Sequence, residues 1–380
     1  MEQANGDPSL NHTLAECPRA WLEVRFPVPG GELIEGGRLD PEAGETVQVV
    51  VLAGGFGTRL RPWTKRVPKP LLPMLDRTLV ERVVEALPAE LVDEVLIAAG
   101  FGIEQMREHF ASVETPYKIT IIEETEPLGT GGAIRNCRAH LRDETFCVMN
   151  GDLLSSVPVG DMLEFHRSQG GLATISLWEV EDPTRFGVCD IRDDGRVYQF
   201  QEKPTMEEAC SNMINAGCYI LEPEVFERMP AGPHSMERDV YTPIAAEGLL
   251  NGFPFTGHFV DAGTPASWLE ATTICLAGWR WSSGGPVGSS SWAGDGSSVE
   301  GEVSGSAIGG GAHIGDAAKI SGCSVLARAR VGAGAELTGC LVGEDAVVGE
   351  GAVLRDVVIA FNAEVPAGHE QEGGTYPPTD

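Results

Sequence analysis

Residues 47–73 read VQVVVLAGGFGTRLRPWTKRVPKPLLP, an apolar run that leads directly into a glycine-rich and basic segment. The run Val47–Leu52 predicts a buried strand. The glycines that follow it let backbone N–H groups approach a phosphate closely. Residues 51–75 carry five basic side chains and none of the 56 acidic ones, although the whole chain has a net charge of -29. This contrast predicts a polyphosphate-binding site. The basic residues are Arg59, Arg61, Lys65, Arg66 and Lys69.

Two common phosphate motifs do not fit this segment. Leu60 stands where the dinucleotide-binding fingerprint needs its third glycine, and no Gly-Lys-Ser/Thr follows as in a P-loop. The chain has only five lysines, and two of them precede proline, at Lys69-Pro70 and Lys203-Pro204. A compact ammonium suits a point contact with one phosphate oxygen. The alternative is that both are ordinary surface lysines.

After the glycine loop, helix-like and strand-like segments alternate. Helices are predicted at 78–86, 103–110 and 130–141, and strands at 94–99, 118–122 and 145–150. Such alternation is typical of βαβ units. The predicted fold class is therefore α/β, with a doubly wound, mostly parallel Rossmann-like sheet. Asp193-Asp194-Gly195 additionally predicts a hairpin within residues 187–202.

The C-terminal part contains an internal repeat. Apolar residues recur at steps of six, with slips of one residue at Val325, Val342 and Ile359. A hexapeptide period with small residues between indicates a parallel β-helix, whose stacked coils share one core. The repeating positions are Ile308, Ile314, Ile320, Val325, Val331, Leu337, Val342, Val348, Leu354, Ile359 and Val365.

Changes in composition divide the chain into five segments. Residues 1–45 are predicted to be an N-terminal extension, with a weak hairpin pattern over residues 21–34. The predicted segments that follow are an α/β domain at 46–278, a Ser/Gly-rich linker at 279–298, the β-helix at 299–368 and a disordered tail at 369–380.

Composition excludes some classes of function. The net charge of -29 argues against a protein that binds nucleic acid through a basic face. No apolar run of 18 residues is present, so no membrane span is predicted. The sequence MEQANGDPSL lacks the features of a secretory signal, and no CxxC pair occurs among the nine cysteines. We therefore expect a cytoplasmic protein with reduced thiols.

Two aspartates follow strand-like runs. Asp152 comes after residues 146–151, and Asp261 ends His258-Phe259-Val260. Because ligands of open α/β sheets bind beyond the carboxyl ends of the strands, both side chains are candidates for one site. Two carboxylates there could hold Mg²⁺ together with substrate phosphates. The alternative is that each aspartate merely caps the helix that follows it.

Taken together, these motifs resemble those of the sugar-1-phosphate nucleotidyltransferases, also called nucleotide-sugar pyrophosphorylases. The resemblance covers about residues 47–278 and matches LAGGxGTRLxPxTxxxPKPLxP almost throughout, with Trp63 where the family often has Leu. The C-terminal repeat resembles the left-handed β-helix of guanylyl- and adenylyl-transferring members. The other matching motifs, in order, are EPLGTGGA (126–133), GD (151–152), FGV (186–188), EKP (202–204), NAG (215–217) and VDAGTP (260–265).

The resemblance implies a role for each matching residue. Arg59 and Lys69 would be catalytic, and Asp152 and Asp261 would bind the Mg²⁺ cofactor. The implied nucleotide-binding residues are Leu52, Gly54, Gly55, Gly57, Thr58, Gly129 and Thr130. The implied substrate-binding residues are Gly187, Glu202, Lys203 and Gly217.

The resemblance also implies the reaction and the partners. A sugar-phosphate oxygen would attack the α-phosphorus of an NTP, giving an NDP-sugar and pyrophosphate. EPLGTGGA favours GTP and the mannose- and heptose-1-phosphate guanylyltransferase branch, with a sugar or sugar-like cyclitol 1-phosphate as acceptor. A homo-oligomer formed through the β-helix is expected.

Several alternatives stay open at this point. One is thymidylyl, uridylyl or adenylyl transfer to a hexose 1-phosphate. Another is a non-catalytic regulatory subunit of the same fold, although Arg59, Lys69, Asp152 and Asp261 are all retained. A third is an acyltransferase that uses the hexapeptide repeat, with His313 as its base.

Overall fold

The computed structural model describes residues 46–278 and 281–378. The predicted N-terminal extension and its hairpin therefore lie outside the described residues. All described residues belong to one unit, residues 44–380. No helix within the described ranges is both long and apolar enough to cross a membrane.

Residues 46–278 form an α/β domain whose glycine-rich segment follows the first strand. Its strands are β1 Val47–Leu52, β2 Pro73–Met74, β3 Arg77–Thr78, β4 Val92–Ala99, β5 Lys118–Glu123, β6 Phe146–Asn150, β7 Leu153–Ser155, β8 Ala173–Glu179, β9 Gly187–Ile191, β10 Val197–Glu202, β11 Met213–Leu221, β12 Leu250–Pro254 and β13 Phe259–Asp261. Its helices are α1 Leu79–Glu85, α2 Ile103–Ser112, α3 Gly129–Asn136, α4 Val159–Gln169, α5 Thr242–Ala246 and α6 Pro265–Ala277. The glycine-rich segment itself contains three short 3-10 turns, Thr58–Leu60, Trp63–Lys65 and Lys69–Leu71.

Nine of the strands in this domain form one sheet, which confirms the predicted α/β class. The order is β10-β9-β11-β6-β1-β4-β5, with β8 paired to β11 and β12 paired to β8. β1 pairs in parallel with both β4 and β6, and β4 pairs in parallel with β5. The antiparallel pairs gather around β11, which contacts β6, β8 and β9. The predicted hairpin is β9–β10. This order places the end of β1 beside the end of β6, between the parallel and the antiparallel parts of the sheet.

The C-terminal part is the predicted β-helix, built from three sheets whose strands pair in parallel, except that β14 pairs in antiparallel fashion with β15. One sheet has the order β14-β15-β18-β21-β24-β27-β30, and the other two are β16-β19-β22-β25-β28 and β17-β20-β23-β26-β29. The strands are β14 Gly285–Val287, β15 Ser291–Ala293, β16 Ser298–Val299, β17 Glu302–Ser304, β18 Ala307–Ile308, β19 His313–Ile314, β20 Lys319–Ser321, β21 Ser324–Val325, β22 Arg330–Val331, β23 Glu336–Thr338, β24 Leu341–Val342, β25 Val347–Val348, β26 Val353–Arg355, β27 Val358–Ile359, β28 Glu364–Val365, β29 Glu370–Glu372 and β30 Thr375–Tyr376.

The pairing in the β-helix explains the slips in the hexapeptide repeat. Val325 pairs with Val342, and Val342 pairs with Ile359, so partners in successive coils are 17 residues apart. Two steps of six and one step of five complete a coil of that length. The slips at Val325, Val342 and Ile359 therefore fall once in each coil, and these three side chains are buried in the same core.

Two predicted segment boundaries were wrong. Strands β14 and β15 and the start of β16 lie inside the predicted linker 279–298, and β29 and β30 lie inside the predicted tail 369–380. The serine and glycine residues of this segment were interpreted as a flexible linker, but in the structure they form tight corners of the β-helix. Gly288 has φ +52, and a Cβ there would lie 2.1 Å from the Val303 carbonyl oxygen. Trp292, in the middle of the predicted linker, is buried.

The β-helix packs against the segment that contains the glycine loop. Trp63 is fully buried, and its Nε1–H donates a hydrogen bond to the Ile359 carbonyl oxygen at 2.9 Å. Its ring lies edge-on to Trp268 of α6, at 6.3 Å between centroids, and 5.9 Å from Phe361. This position accounts for tryptophan where the resembling family often has leucine, since a leucine side chain has no N–H for this carbonyl.

Candidate active site

The glycine loop begins where β1 ends, and its conformation requires glycine at position 57. Gly57 has φ +57, and a Cβ there would lie 2.9 Å from Lys69 Cβ and 3.0 Å from Thr64 Cγ2. The Thr64 hydroxyl donates to the Gly57 carbonyl oxygen at 2.8 Å, which fixes the turn. Gly57 therefore lets the loop fold back onto Lys69, so that both ends of the segment face one cavity.

A cavity of about 500 Å³ opens above the ends of β1 and β6. The residues predicted to bind the nucleotide all line it, as do Arg59, Lys69 and Asp152. These residues are Leu52, Gly54, Gly55, Gly57, Thr58, Gly129 and Thr130. The fold thus brings together at one cavity two segments, 52–59 and 127–133, that are distant from each other in the sequence.

Charged side chains form a cluster at this cavity. Lys69 Nζ lies 2.7 Å from Asp152 Oδ2 and 3.6 Å from Asp261 Oδ1. Arg59 Nη2 lies 3.6 Å from Asp261 Oδ2. The Lys69 side chain is only 6% exposed, whereas that of Arg59 is 60% exposed. Lys69 is therefore held between two carboxylates, and Arg59 remains accessible to a ligand.

Local strand pairing brings the two aspartates together. β7 follows Asp152, and it pairs in antiparallel fashion with β13, so that Asp261 lies opposite Leu153. The Ala262 N–H donates to the Asp152 carbonyl oxygen at 3.1 Å. The Gly263 N–H donates to the Asp261 carbonyl oxygen at 2.7 Å, and a Cβ on Gly263 would lie 2.5 Å from Arg59 Nη2. Because both carboxylates lie close to Lys69 Nζ, at 2.7 and 3.6 Å, their separation is well below the ~10 Å beyond which one ion could not be shared.

The donor set fits Mg²⁺ in its usual mode with phosphate ligands. Asp261 Oδ1 is buried and accepts no hydrogen bond from any described residue. No group of three acidic, histidine or cysteine side chains that could hold a metal occurs among the described residues. Mg²⁺ is commonly held by one or two carboxylates while substrate phosphates and water supply the remaining ligands. The pair Asp152 and Asp261 matches that requirement.

The residues predicted to bind the sugar phosphate lie on the neighbouring strands. Glu202 pairs with Gly187 across the β9–β10 hairpin, and Lys203 Nζ lies 3.2 Å from Glu202 Oε1. Gly217 lies on β11 with φ +68, and a Cβ there would lie 2.6 Å from Asn150 Nδ2. Gly187, Glu202, Lys203 and Gly217 do not line the 500 Å³ cavity. They form a second group of residues beside the cavity. Asn150 connects the two, because it lines the cavity and also lies next to Gly217.

Gly129 and Thr130 are held by a segment that the sequence did not single out. Gly129 has φ +71, and a Cβ there would lie 2.5 Å from the His234 carbonyl oxygen. The Thr130 hydroxyl donates to Glu237 Oε2 at 2.7 Å and accepts from the Met236 N–H at 2.9 Å. Both residues line the cavity, but the Thr130 hydroxyl is already engaged. Their visible role is to fix the start of α3.

The basic segment contributes only part of its charge to the cavity. Of its five basic residues, Arg59 and Lys69 line it. Arg66 lies over the Phe361 ring of the β-helix, 5.6 Å from its centroid. The charge pattern therefore indicated a segment that borders the cavity, but it did not separate the basic residues that line the cavity from those that do not.

Two cavity residues with polar side chains, Glu124 and Asn150, were missed. Glu124 follows β5 and Asn150 ends β6, so both lie at carboxyl ends of strands. That position was the available signal, because it is the same one that singled out Asp152 and Asp261. Burial raises the pKa of the Glu124 carboxyl, although the backbone N–H of Leu128 opposes this by donating a hydrogen bond to it.

The fold and the site define a nucleotidyltransferase of the α/β class. Residues 48–277 match the family described as Nucleotidyl transferase, and the chain belongs to that family.

Comparison with individual proteins narrows the similarity. The chain is 39% identical over 236 residues to mannose-1-phosphate guanylyltransferase 1 of Arabidopsis thaliana, which covers 60% of this chain and 65% of that protein. It is 37% identical over 235 residues to the mannose-1-phosphate guanylyltransferase catalytic subunit beta of Danio rerio, covering 60% and 64%. The chain thus spans less than two thirds of these curated relatives.

A solved structure is also similar. The crystal structure of HddC from Yersinia pseudotuberculosis matches with a TM-score of 0.52 and 30% sequence identity, over 60% of this chain and 98% of that one. A second structure of HddC, complexed with GMP-PN, matches with a TM-score of 0.51 and 29% identity, over the same shares of the two chains.

Proposed function

We propose that this protein transfers a guanylyl group from GTP to a sugar or sugar-like 1-phosphate and releases pyrophosphate. The observation that carries the proposal is the cluster of Lys69, Asp152, Asp261 and Arg59 beside a glycine loop. A triphosphate needs both features, because the loop supplies N–H donors and the cations balance its charge.

The proposed mechanism depends on position and charge. A sugar-phosphate oxygen attacks the α-phosphorus of GTP in line with the bond to the leaving pyrophosphate, so no covalent enzyme intermediate is needed. Arg59, which is largely exposed toward the cavity, neutralises charge on the triphosphate. Lys69 is held in one orientation by its ion pair with Asp152. Its ammonium donates hydrogen bonds to the phosphate oxygens on which negative charge develops in the transition state.

Asp152 and Asp261 would hold the Mg²⁺. When bound there with the phosphates, the ion supplies Lewis-acid stabilisation of the negative charge on the reacting phosphoryl group. The two carboxylates also orient Lys69 and Arg59 through their ion pairs. Their role in this chain would thus be to hold the metal and to position the two cations Arg59 and Lys69 beside it.

The group on β9, β10 and β11 would bind the acceptor. Glu202, together with the backbone at Gly187 and Gly217, would contact sugar hydroxyls, and Lys203 would bind the sugar phosphate. Lys203 has a 61% exposed side chain whose ammonium lies beside Glu202. Because the ammonium is exposed, it can form an ion pair with an incoming phosphate without any loss of buried packing.

Guanine is favoured as the base. The motif EPLGTGGA resembles the guanylyl-transferring branch, the curated relatives carry the name mannose-1-phosphate guanylyltransferase, and HddC has been solved with GMP-PN. A regulatory subunit without activity is less well supported, because the four charged residues are present and in mutual contact. Mannose and heptose 1-phosphates are the first acceptors to test.

The test is pyrophosphate release over a matrix of nucleotides and acceptors. GTP, ATP, UTP and dTTP would each be combined with mannose, heptose and glucose 1-phosphates in the presence of Mg²⁺. We expect the highest kcat/KM with GTP. A clear preference for dTTP, UTP or ATP would refute guanylyl transfer, and no release with any pair would favour the regulatory subunit.

A further inference from the structure

Residues 232–241 pack against the loop at residues 128–132, part of which lines the 500 Å³ cavity. The His234 N–H donates to the Leu128 carbonyl oxygen at 2.9 Å, and the His234 carbonyl oxygen accepts from the Gly131 N–H at 3.0 Å. The backbones of the two segments are thus joined in both directions, although they are far apart in the sequence.

The contact is close because the loop is rich in glycine. A Cβ on Gly129 would lie 2.5 Å from the His234 carbonyl oxygen, and a Cβ on Gly131 would lie 2.4 Å from His234 Nε2. The loop therefore has few side chains that could anchor it. Thr130 is the residue among 128–132 that has a polar side chain.

Glu237 holds the Thr130 side chain. The Thr130 hydroxyl donates to Glu237 Oε2 at 2.7 Å and accepts from the Met236 N–H at 2.9 Å. The same carboxylate oxygen accepts from the Ser235 hydroxyl at 2.6 Å. Short hydrogen bonds from a hydroxyl to an ionised carboxylate are roughly twice as strong as those between neutral groups. Because a hydroxyl has one proton to donate, Thr130 has none left for a ligand.

The loop can therefore offer its backbone to a nucleotide. α3 begins at Gly129, and the N–H groups of a first helical turn have no partner within the helix. Those of Gly131 and Gly132 donate to the His234 carbonyl oxygen. Those of Gly129 and Thr130 have no backbone partner among the described residues, and both residues line the cavity. The position of Thr130 thus decides where these two donors lie.

Glu237 itself is fixed from outside the cavity. It begins a π-helical turn, Glu237–Tyr241, that continues directly into α5. The Thr242 hydroxyl donates to the Glu237 carbonyl oxygen at 2.9 Å. Such turns are rare and occur frequently at functional sites. Since Glu237 does not line the cavity, its carboxylate is placed to hold the loop and not to contact the substrate.

We propose that Glu237 is a positioning residue for nucleotide binding, whose carboxylate holds Thr130 so that the start of α3 keeps the conformation that accepts the nucleotide. This inference rests on the proposed nucleotidyl transfer and adds to it a residue outside the cavity. It implies that loss of the carboxylate weakens nucleotide binding, while the acceptor-binding group on β9, β10 and β11 and the pair Asp152 and Asp261 stay in place.

The test measures the Kd of GTP in the absence of acceptor, by calorimetry, so that it does not depend on turnover. The variants are Glu237→Gln, which keeps the shape of the side chain without its charge, Thr130→Val, which removes the hydroxyl, and the double variant. Thr130→Ser keeps the hydroxyl. Glu247→Gln is the matched control, because Glu247 forms an exposed ion pair with Arg228 and does not line the cavity.

We expect Glu237→Gln and Thr130→Val each to raise the Kd of GTP by ~10-fold, as when a hydrogen bond to a charged group is lost. The double variant should be little worse than either single one, because both remove the same hydrogen bond. Thr130→Ser and Glu247→Gln should keep a Kd close to that of the wild type. In steady-state assays the KM for the nucleotide should rise in proportion, whereas the KM for the acceptor should not change.

An unchanged Kd in Glu237→Gln would overturn the proposal, as would losses that reach ~10²-fold in the double variant, since the two side chains would then act independently. An equal rise in the KM for the acceptor would also overturn it, because it would indicate a general structural effect. If Glu237→Gln did not fold, an equal Kd for Thr130→Val and Thr130→Ser would overturn it.

These outcomes are separate from those of the proposed function. If pyrophosphate release showed a preference for a base other than guanine, guanylyl transfer would be refuted, and the same comparison of Kd values with the preferred nucleotide would decide the role of Glu237. A wild-type protein that bound no nucleotide would refute both.

Discussion

Lys69 shows how one residue can join the two halves of the site. It is the most buried charged group of the cluster, and it contacts both aspartates although they are far apart in sequence. Gly57 leaves room for its Cβ. Burial between carboxylates makes Lys69 a fixed donor, in contrast to the exposed guanidinium of Arg59.

We predict that Arg59→Ala and Lys69→Ala each lower kcat/KM by at least ~10²-fold, because each removes a cation that stabilises transition-state charge. Steady-state pyrophosphate release at saturating Mg²⁺ would measure this.

Lys319→Ala and Arg228→Ala are the matched controls, because both residues form exposed ion pairs elsewhere. These controls should remain near wild type. Near-normal turnover of both Arg59→Ala and Lys69→Ala would contradict the assignment.

Candidate site residues that belong to a sequence motif could be predicted, and those that belong to none could not. Arg59 and Lys69 stand in a segment whose charge contrasts with the whole chain, and Asp152 and Asp261 follow apolar runs. Glu124 is one of 56 acids, in a segment with other acids nearby. Only the packing of β5 beside the glycine loop separates it from them, and a sequence does not contain that information directly.

Among the secondary-structure elements, α1 begins with a hydrogen-bonded cap that includes the titratable side chain of Glu81. Thr78 and Glu81 form a capping box: the Glu81 carboxylate accepts from the Thr78 N–H at 2.8 Å, and the Thr78 hydroxyl accepts from the Glu81 N–H. Burial by itself would raise the pKa of Glu81, but hydrogen bonds from His109 and Thr78 outweigh it and lower the pKa to about 2.

The lowered pKa gives a pH-dependent contribution to stability. The unfolded chain binds a proton at Glu81 near pH 4.5 and the folded chain near 2, so this contribution is complete above 4.5 and is lost as pH falls toward 2. We predict that the difference in unfolding free energy between wild type and Glu81→Gln narrows over that range in urea titrations. A constant difference would contradict this.

The cap itself can be tested at neutral pH. Thr78→Ala should lower the free energy of unfolding by ~1 kcal/mol, the usual effect of losing an N-cap side chain. Thr78→Ser keeps the hydroxyl and is the matched control, which should retain most of that stability. Equal losses in the two variants would show that the hydroxyl is not what stabilises the start of α1.

Elements with a regular repeat of apolar residues could be predicted from the sequence, but the residues at which these elements begin and end could not. The β-helix was predicted from apolar positions six residues apart, because each coil repeats the same inward positions. Its first and last coils were missed, since residues such as Gly288 and Gly373 serve corners with positive φ. The same composition is typical of flexible linkers, so composition alone cannot distinguish the two.

At the scale of the whole molecule, the β-helix forms part of the support of the site. One apolar cluster includes Leu60 and Trp63 from the glycine-rich segment, Trp268 from α6, and Trp292 and Val358 from the β-helix. The segment that contains Arg59 and Lys69 is therefore packed between the α/β domain and the β-helix. A role of the β-helix in homo-oligomer formation stays a prediction, which light scattering would test.

This packing predicts that Trp63→Ala affects both stability and activity. Loss of the buried ring should lower the free energy of unfolding by ~3–5 kcal/mol. Because Trp63 lies between Arg59 and Lys69 in sequence, kcat/KM should also fall at temperatures where the variant is folded. Urea unfolding and pyrophosphate release would measure the two effects.

Trp292→Ala is the control for this prediction, since Trp292 is buried in the same cluster but belongs to the β-helix. We expect a comparable loss of stability with kcat/KM close to wild type. If the two variants lost activity equally, the packing of Trp63 would affect activity only through the stability of the whole protein.

We propose that nucleotidyl transfer takes place at the cluster of Lys69, Asp152 and Asp261. The most direct test is kcat as a function of Mg²⁺ concentration for wild type, Asp152→Asn, Asp261→Asn and the double variant. We predict that each single variant lowers kcat by at least ~10²-fold and raises the Mg²⁺ requirement, while the double variant is little worse than the worse single one. Wild-type kcat in either single variant, or fully additive losses in the double variant, would contradict it.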